Sequence, residues 1–429
     1  MIKLFCLEAT IGRCLKSKSC IGFGFAAFMV VHDANGIGFL LPNQDPKAVG
    51  RGNAFVATAD NPSAVYYNPA GISQISGLDV EVGVLNYIGI DSFYSPQNGP
   101  GAESNFKITP VPQIYLTYSG TNSPLSFGIG VYSPFGLGVT WPASSDLRSL
   151  AIDSQLSYLT VNPVVSWKIV KSLSIAIGPT INYADIKFNR GLFSNNDFFQ
   201  FSGDGFSYGL TAGILWQPLD QISIGGNYRL STTTDFQGNS SYNNGSGPSA
   251  SAGTSADLAF PQTASVGISY RPTSNWNIEF DLDYINWDTV GVVNLSGTRQ
   301  IFGQDLSLPL HWRDSFQYKF GVTRYLENGW FVSAGYFYST ETSPSTYFTP
   351  AVPDTALSVG SVGVGRDGKN WDWAAAAQVI AGSSRTITPS AANSNPFTGM
   401  SAAGQAGQSA YSRFRLFSPT LSLSVGYHF

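Results

Sequence analysis

The sequence predicts an all-β protein, a transmembrane antiparallel β-barrel of about fourteen strands. Three observations support this prediction. Segments of alternating polarity follow one another from residue 78 onward, with nothing helical between them. Short and long connections alternate between the segments, as in bacterial outer-membrane barrels, which have short periplasmic turns and longer outer loops. The last segment is apolar at every second position and ends on Phe429.

Composition excludes several other classes of protein. Of the 429 residues, 12% are charged and 14% aromatic, and 46 are glycine, which is unusual for a soluble enzyme. The mean hydropathy is +0.01, and no apolar run reaches the roughly 20 residues that a membrane-spanning helix needs. Strands of a membrane barrel escape that test because they are apolar on alternate residues only. The net charge of −4 offers no basic surface for nucleic acid.

The N-terminal residues have the layout of a secretory signal peptide. Lys16 and Lys18 precede an apolar run over residues 21–31, and a small residue, Ala34, follows. We therefore expect residues 1–34 to be removed on export, the alternative being a buried helix. All three cysteines precede that position: Cys6, Cys14 and Cys20. The exported chain would then contain no disulfide.

The strand predictions follow the alternating segments and the turn residues between them. The predicted strands span residues 78–90, 110–119, 125–138, 154–169, 173–190, 204–217, 221–237, 258–271, 275–292, 311–326, 329–341, 355–366, 370–388 and 411–429. Tight connections fall at 120–124, 170–172, 218–220, 272–274, 327–328 and 367–369. Long connections fall at 91–109, 141–153, 191–203, 238–257, 293–310, 342–354 and 389–410. An even strand number places both ends of the barrel on the periplasmic side.

One strand shows which face meets lipid. Its apolar residues, Ile278, Phe280, Leu282 and Tyr284, alternate with the carboxylates Glu279, Asp281 and Asp283. The next strand alternates in the same way between aromatic residues and a polar face carrying Arg313, Gln317 and Lys319. Charges turned toward lipid cost up to roughly 2–4 kcal/mol each, so we expect them to face the lumen and to form ion pairs. A metal site is the alternative, but alternate positions spread three carboxylates over about 13 Å.

Aromatic residues near strand ends fit the girdle that marks a membrane interface. The tryptophans at such positions are Trp167, Trp216, Trp276, Trp312 and Trp330.

Residues 48–73 precede the first strand and cannot form a long one, because glycines and prolines interrupt them. Asn61-Pro62 and Asn68-Pro69 are typical of turns and helix starts, since proline suits a first helical position and the asparagine side chain can cap the backbone. The pattern predicts short helical turns. Spacing alone leaves two roles open, a cap over one end of the barrel or a functional plug.

The same stretch resembles the signature of the outer-membrane long-chain fatty acid transporter family (FadL-type), which includes transporters of toluene and other aromatic hydrocarbons. The matching residues are Gly50-Arg51-Gly52-Asn53-Ala54-Phe55, Ala59-Asp60-Asn61 and Tyr67-Asn68-Pro69-Ala70-Gly71. The resemblance implies a hatch, or plug, inside a fourteen-stranded barrel. We expect residues 35–76 to form this hatch and residues 77–429 to form the barrel. The hatch residues of interest are Gly50, Arg51, Gly52, Asn68, Pro69 and Ala70.

The sequence contains few residues that could act as catalytic groups of an enzyme. His32 precedes the expected cleavage site and His428 lies at the C-terminus, which leaves His311 as the one candidate general base. No Walker loop, zinc spacing or calcium loop is present. We therefore expect no enzyme activity, no catalytic residue, no metal and no cofactor.

Aromatic residues instead favour a hydrophobic ligand. Tyr66 and Tyr67 lie in the hatch, and the loop at 191–203 carries four phenylalanines: Phe193, Phe198, Phe199 and Phe201. Packing against a neighbouring loop would also account for these side chains. The family resemblance implies that hydrophobic ligand first lands on such loops and that basic wall residues hold a fatty acid carboxylate. Lys187 lies in the matching region, but Asp185 shares its face and would neutralise it, which favours an uncharged hydrocarbon.

The third predicted strand contains a break. Pro134, Gly136 and Gly138 interrupt an otherwise regular alternation, because proline cannot donate a ladder hydrogen bond and glycine marks a bulge or bend. A bulge that adjusts curvature would explain the pattern. The resemblance implies a different role, since FadL-type barrels have a kink here that lets hydrophobic ligand leave sideways into the membrane.

These inferences predict transport of hydrophobic compounds, either long-chain fatty acids or aromatic hydrocarbons, across the outer membrane of a Gram-negative type of cell. The alternative is a non-transporting structural barrel or adhesin. The expected partners are a hydrophobic small molecule, outer-membrane lipid and the barrel assembly machinery. The last is expected because the terminal residues ending in Phe429 resemble the β-signal that this machinery recognises.

Overall fold

A computed structural model describes residues 38–89, 91–96, 101–145, 147–192, 196–247, 249–387 and 412–429. Fourteen antiparallel strands close into a barrel, and the N-terminal residues from 38 to 76, called the plug below, lie in its lumen. No helix in the described ranges is long and apolar enough to cross a membrane.

Several barrel strands consist of two segments. The strands are β1 (Gly77–Ile88, continued by Asp91–Pro96), β2 (Ile108–Ser119), β3 (Leu125–Tyr132 and Gly136–Thr140), β4 (Asp153–Val170), β5 (Leu173–Arg190), β6 (Phe198–Leu219), β7 (Ile222–Arg229 and Thr232–Asn243), β8 (Ala250–Phe260 and Thr263–Thr273), β9 (Trp276–Ile285 and Val292–Ser296), β10 (Leu306–Pro309 and Ser315–Tyr325), β11 (Trp330–Ser339), β12 (Leu357–Asp367), β13 (Trp371–Gly382 and Arg385–Thr386) and β14 (Ser412–His428). A two-residue strand, Ala102–Glu103, pairs with the end of β1. The barrel closes between β1 and β14, in a register that runs from Asp79↔His428 to Tyr87↔Thr420.

Each of the fourteen predicted strands corresponds to one barrel strand, but several predicted loops were too long. β6 begins at Phe198, not 204, and its ladder to β7 continues from Gln237↔Asp204 to Asn243↔Phe198. β8 begins at Ala250, which shortens the loop predicted at 238–257. Hydrogen bonding between strand backbones does not require alternating apolar side chains. The strands therefore continue into polar and glycine-rich stretches that we predicted to be loops.

Side-chain burial confirms the lipid-facing and lumen-facing assignments. On β9, Phe280 is 45% exposed, whereas Glu279 and Asp281 are buried. On β10, Tyr318 is exposed and Lys319 is buried. Arg313 was assigned to this face but precedes the strand, which resumes at Ser315. Trp167, Trp216, Trp276 and Trp330 are exposed, but Trp312 is 3% exposed and lies inside the barrel, so its assignment to the girdle was wrong.

The plug consists of short helical turns, as predicted. Its helices are α1 (Pro46–Val49), α2 (Ala64–Tyr67) and a 3-10 helix at Pro69–Gln74. The side chain of Asp45 accepts a hydrogen bond from the Ala48 backbone and so caps α1. Further short helices lie in the connections: α3 (Arg299–Phe302) and 3-10 turns at Trp287–Thr289, Glu327–Gly329 and Ser345–Tyr347.

Candidate ligand-binding site and wall opening

Barrel glycines form the seat of the plug. A Cβ added at Gly225 would lie 2.1 Å from the Val56 carbonyl oxygen, and one at Gly335 would lie 2.0 Å from the Arg51 carbonyl carbon. These distances are far inside van der Waals contact, so only glycine lets the plug backbone lie directly on the wall. The plug is therefore fitted to this barrel by close backbone packing.

The predicted hatch residues Gly50, Arg51 and Gly52 lie in this seat. Gly52 has φ +66°, which favours glycine, and its N–H donates to Ser361 Oγ at 3.0 Å. A Cβ at Gly50 would lie 2.7 Å from the Gly363 Cα atom. The Arg51 guanidinium pairs with Glu279 at 3.2 Å, and both side chains are buried.

The plug is connected to strands β5 and β6 of the wall through Asn68, Pro69 and Ala70. The Asn68 amide donates to the carbonyl of Val56 at 2.8 Å and to that of Ile214 on β6 at 2.9 Å. Its side-chain oxygen accepts from the Ala70 N–H at 3.2 Å, which caps the 3-10 helix that Pro69 begins. Ala70 is fully buried and packs with residues of β5 and β6.

Two β9 carboxylates fasten the middle of the plug. Asp281 accepts from the backbone N–H groups of Phe55 and Val56, at 2.7 and 2.9 Å. Glu279 accepts from the next two, those of Ala57 and Thr58. The expected pairing between strands holds for Asp283 and Lys319, whereas Glu279 and Asp281 bind the plug.

Lys47 fastens the plug at the end of the barrel that carries the short turns. Its ammonium group donates to Asp367 at 2.6 Å. Burial alone would lower the pKa of Lys47, but the carboxylates of Asp367, Asp60 and Asp372 raise it above its ordinary value. The group therefore remains charged and paired.

Tyr66 and Tyr67, predicted to bind ligand, lie within the plug. The Tyr67 hydroxyl accepts from the Gln44 backbone N–H at 3.0 Å and lies 3.0 Å from Asn53 Oδ1, so it holds two plug segments together. Tyr66 packs on Tyr132, with ring centroids 5.1 Å apart, and carries the Arg229 guanidinium on its face at 4.5 Å. Neither side chain reaches the apolar cavity described next.

An apolar cavity of about 90 Å³ lies above the plug. It is enclosed by residues of the plug, of β3 to β10 and of the β11–β12 connection: Phe39, Leu137, Ser154, Gln155, Leu156, Ile186, Lys187, Phe188, Arg190, Phe201, Phe236, Ala256, Leu258, Val293, Leu308, Leu310, Trp312, Thr349, Ala351 and Val352. Small-molecule sites share this character, apolar with few polar groups.

Phe39, at the start of the plug, sits against this cavity in a cage of aromatic side chains. Its ring centroid lies 4.8 Å from Trp287, 5.2 Å from Trp312, 5.6 Å from Phe260 and 6.0 Å from Phe135. Aromatic pairs at such separations attract beyond their buried area. The cage therefore suits an aromatic ring, which the protein itself supplies.

Two basic residues of β5, Lys187 and Arg190, line the cavity. On β5 the exposed residues Ile181, Tyr183 and Asp185 alternate with buried Asn182 and Ala184. Beyond Asp185 the alternation ends: Lys187 is half-buried, and Asn189 and Arg190 are both buried. Arg190 is 2% exposed and lies over the Phe188 ring at 5.3 Å. The sequence did not single out Arg190, because alternation fails at this end of β5, where Asn189 and Arg190 are both buried.

Three of the four phenylalanines predicted in the outer loop belong to β6. Phe201 lines the cavity, and Phe199 packs on Phe302 of α3 with ring centroids 5.7 Å apart. Phe198 is partly buried, on the other face of the strand. Phe193 lies outside the described residues. Packing therefore accounts for Phe199, while Phe201 faces the cavity.

The wall is interrupted at β3. The β2–β3 ladder extends from Ser119↔Ser126 to Ile114↔Val131. After Pro134, the segment Gly136–Thr140 pairs with β4, and no described pairing joins it to β2. A cavity of about 280 Å³ fills this gap. It is lined by Leu41, Tyr87, Lys107, Thr109, Pro110, Val111, Pro112, Ser133, Phe135, Gly136, Leu137, Gly138, Gln155, Leu156, Ser157 and Tyr158. Gly138 has no atom within 4 Å of an added Cβ.

The start of the plug covers this break from inside. The Leu41 N–H donates to the Pro134 carbonyl at 2.8 Å, and the Gly136 N–H donates to the Phe39 carbonyl at 2.9 Å. Leu137 lines both the apolar cavity and the wall opening. The predicted site residues Pro134, Gly136 and Gly138 thus lie beside the cavity, separated from it by Leu137 and by plug residues.

Comparison with models of protein families shows which family this chain belongs to. Residues 27–414 match the family described as outer membrane protein transport protein (OMPP1/FadL/TodX). The chain belongs to this family. Its members are outer-membrane transport proteins.

Individual relatives are similar to this chain either at low sequence identity or over a part of the chain only. The long-chain fatty acid transport protein of Escherichia coli K12 is 22% identical over 393 residues, covering 80% of this chain and 86% of that protein. An outer membrane protein of Neisseria meningitidis is 30% identical over 142 residues, and this chain spans 29% of its length.

Solved structures share the fold. A FadL homologue from Pseudomonas aeruginosa has a TM-score of 0.77 at 18% identity, covering 92% of this chain and all of that one. The toluene transporter TbuX of Ralstonia pickettii has a TM-score of 0.68 at 17% identity, covering 91% and 99%.

Proposed function

We propose that this outer-membrane protein binds hydrophobic molecules above its plug and releases them sideways into the membrane through the break in β3. The observation that carries this proposal is that the apolar cavity and the wall opening share Leu137 as a common wall. Only the Leu137 side chain and the first residues of the plug therefore separate a molecule in the cavity from the wall opening.

Passage straight through the lumen is disfavoured by the seating of the plug. Four consecutive plug N–H groups bind wall carboxylates, and wall glycines leave no space beneath the backbone. Displacing the plug would break these four hydrogen bonds together with the buried pair between Arg51 and Glu279. The shorter and less costly route is sideways.

The sideways route requires movement of Phe39 to Leu41. Two backbone hydrogen bonds hold this segment to the β3 break, and such bonds contribute about 0.5–1.5 kcal/mol each on balance. When the Phe39 ring moves out of the aromatic cage, its packing contacts are lost. A ligand that occupies the same place would restore contacts of the same kind. Ligand binding and opening are coupled in this proposal because both act on the same three residues.

A fatty acid is the ligand class best supported. Arg190 brings a cation to the cavity wall, and the Escherichia coli relative is a long-chain fatty acid transport protein. Each buried methylene would add about 0.8 kcal/mol. An aromatic hydrocarbon is the second candidate, favoured by the cage around Phe39 and by the relationship to a toluene transporter.

Other roles have less support. His311 is exposed, and its ring packs on Tyr347 at 4.6 Å, away from the cavity, so we propose no enzyme activity. An adhesin would not need an apolar cavity inside the barrel. Outer-membrane lipid, as the receiving phase, and the barrel assembly machinery remain proposed partners, and a signal peptide at 1–34 remains a prediction.

Uptake by liposomes that contain the purified protein tests this function, with labelled oleate and labelled toluene as separate probes. We expect uptake of at least one probe above protein-free liposomes. Arg190→Met should weaken oleate binding by on the order of 10-fold or more, since a charge-assisted bond contributes about 1.5–3 kcal/mol, and should leave toluene unaffected. Lys168→Met, at an exposed position that does not line the cavity, is the control. No uptake of either probe would contradict the proposal.

A further inference from the structure

A second apolar cavity, of about 100 Å³, borders the start of the plug. The cavity above the plug, described earlier, is called the first cavity below. The wall of the second cavity is an apolar cluster that includes Phe337 of β11, Leu357 of β12 and Ile380 of β13. Leu40 and Leu41 form its plug side. Like the first cavity, it therefore consists mainly of groups that suit an apolar ligand.

The two cavities differ in charge. Lys187 and Arg190 line the first cavity, whereas none of the described residues that line the second cavity is charged. Polar groups in the second cavity bond within the protein, since the Asn43 amide donates to Gln378 at 2.9 Å and to the Tyr87 hydroxyl at 3.4 Å. A carboxylate therefore has cationic partners in the first cavity, and the second suits an uncharged chain, because burial of an unpaired charge is costly.

A thin partition separates the two cavities. Leu137 of β3 and Val352 of the β11–β12 connection line both of them. The plug contributes to the partition, since Phe39 lines the first cavity and Leu40, the next residue, lines the second. The movement of Phe39 to Leu41 that the proposed function requires would therefore join the two cavities.

The two cavities lie close enough for one molecule to occupy both. In the register of β3, β4 and β5, Gly138 is opposite Gln155, and Gln155 is opposite Lys187. Neighbouring strands are about 4.8 Å apart, so Gly138 at the second cavity lies roughly 10 Å from Lys187 at the first. An extended long-chain acyl group is longer than this distance, whereas a single aromatic ring is shorter.

The second cavity also borders the wall opening. Leu41, Gly136 and Gly138 line both of these spaces. An acyl tail in the second cavity would therefore lie beside the opening while its carboxylate is still in the first cavity.

We propose that the second cavity binds the tail of a long-chain fatty acid whose carboxylate is held by Arg190 or Lys187 in the first cavity. A long acyl chain fills both cavities, whereas a short chain or a single aromatic ring occupies the first alone. The second cavity thus determines the preference for chain length. This inference rests on the proposed function, because the cavities join when the start of the plug moves.

Filling the second cavity tests this inference. Ser418 lines that cavity and is opposite Ile380, so the ring of Ser418→Phe should lie against the apolar cluster. Dissociation constants of octanoate, dodecanoate, palmitate and toluene are measured with folded protein in a detergent-free amphipathic polymer. In the unsubstituted protein we expect affinity to rise roughly fourfold with each methylene that is buried. Ser418→Phe should bind octanoate and toluene as before, but palmitate more weakly by on the order of 10-fold or more.

Ala256→Phe is the matched control, because Ala256 lines the first cavity and not the second. It should weaken the binding of all four probes. Heat-modifiable migration shows whether each barrel is folded, and Ser418→Leu, with a smaller side chain, takes the place of Ser418→Phe if that variant does not fold.

Two results would overturn the proposal: equal weakening of octanoate and palmitate by Ser418→Phe, or palmitate binding that this substitution leaves unchanged. The measurement uses no membrane, so a failure of release through the wall would not alter the binding series. The two proposals can therefore fail independently.

Discussion

Asn68 joins three parts of the chain through one buried amide. It links the plug carbonyl of Val56, the wall carbonyl of Ile214 and the N–H of Ala70. Asparagine supplies both donors and an acceptor, which a carboxylate or an apolar side chain does not. At this position the side chain both caps a helix and attaches the plug to β6.

Replacing Asn68 by Leu should loosen the plug without preventing barrel insertion. The substitution leaves buried carbonyls and an N–H unpaired, at about 1–3 kcal/mol for each group. We expect a lower unfolding midpoint in detergent and reduced transport, with normal heat-modifiable migration. Asn239→Leu, at an exposed position, is the matched control. Unchanged stability and uptake in the Asn68 variant would mean that the plug does not depend on this amide.

Residue roles were harder to predict than residue positions. Alternation on β9 correctly predicted that Glu279 and Asp281 face the lumen. Their partners could not be predicted in this way, because they are backbone N–H groups of the plug, which is far away in sequence, and a backbone group has no residue-type pattern. Charge and region pointed to Lys187, which does line the cavity, but gave no reason to select the more deeply buried Arg190 beside it. Phe39 was missed because a single phenylalanine after an apolar leader carries no distinguishing signal.

At the scale of elements, the barrel and its plug fit because several strands carry glycine where the plug backbone lies. Gly225 on β7 and Gly335 on β11 lie against the plug backbone. Strand glycines normally weaken a sheet, and here the close approach explains them. Alternation and turn residues were sufficient to predict all fourteen strands, whereas this fit depends on packing between segments far apart in sequence.

Gly225→Val should displace the plug from its seat. The added Cβ would meet a backbone carbonyl that cannot rotate away, and overpacking of this kind costs about 1–3 kcal/mol or more. We expect faster proteolysis of the plug and a lower unfolding midpoint. Gly253→Val, where an added Cβ meets nothing within 4 Å, should match the unsubstituted protein. Equal proteolysis rates for the two variants would argue against a fitted seat.

At the scale of the whole molecule, the barrel is closed in the middle and open at one side. The plug bonds to strands around the wall, among them β1, β4, β12 and β13, while the β2–β3 ladder ends at Ile114↔Val131. Backbone facing lipid is normally paired, so a break of this length, lined by Pro110, Pro112 and Gly138, is exceptional. The central claim is that hydrophobic ligand leaves the protein there.

Binding and uptake measured together for Gly138→Trp test this claim most directly. Space beside Gly138 is open, so the side chain should fold into the gap and block it while the apolar cavity remains intact. Gly360→Trp, at an exposed wall position that is also open, is the control. We predict that Gly138→Trp binds labelled ligand in detergent as the control does but loses uptake into liposomes. Uptake that persists at the level of the control would contradict release through the wall.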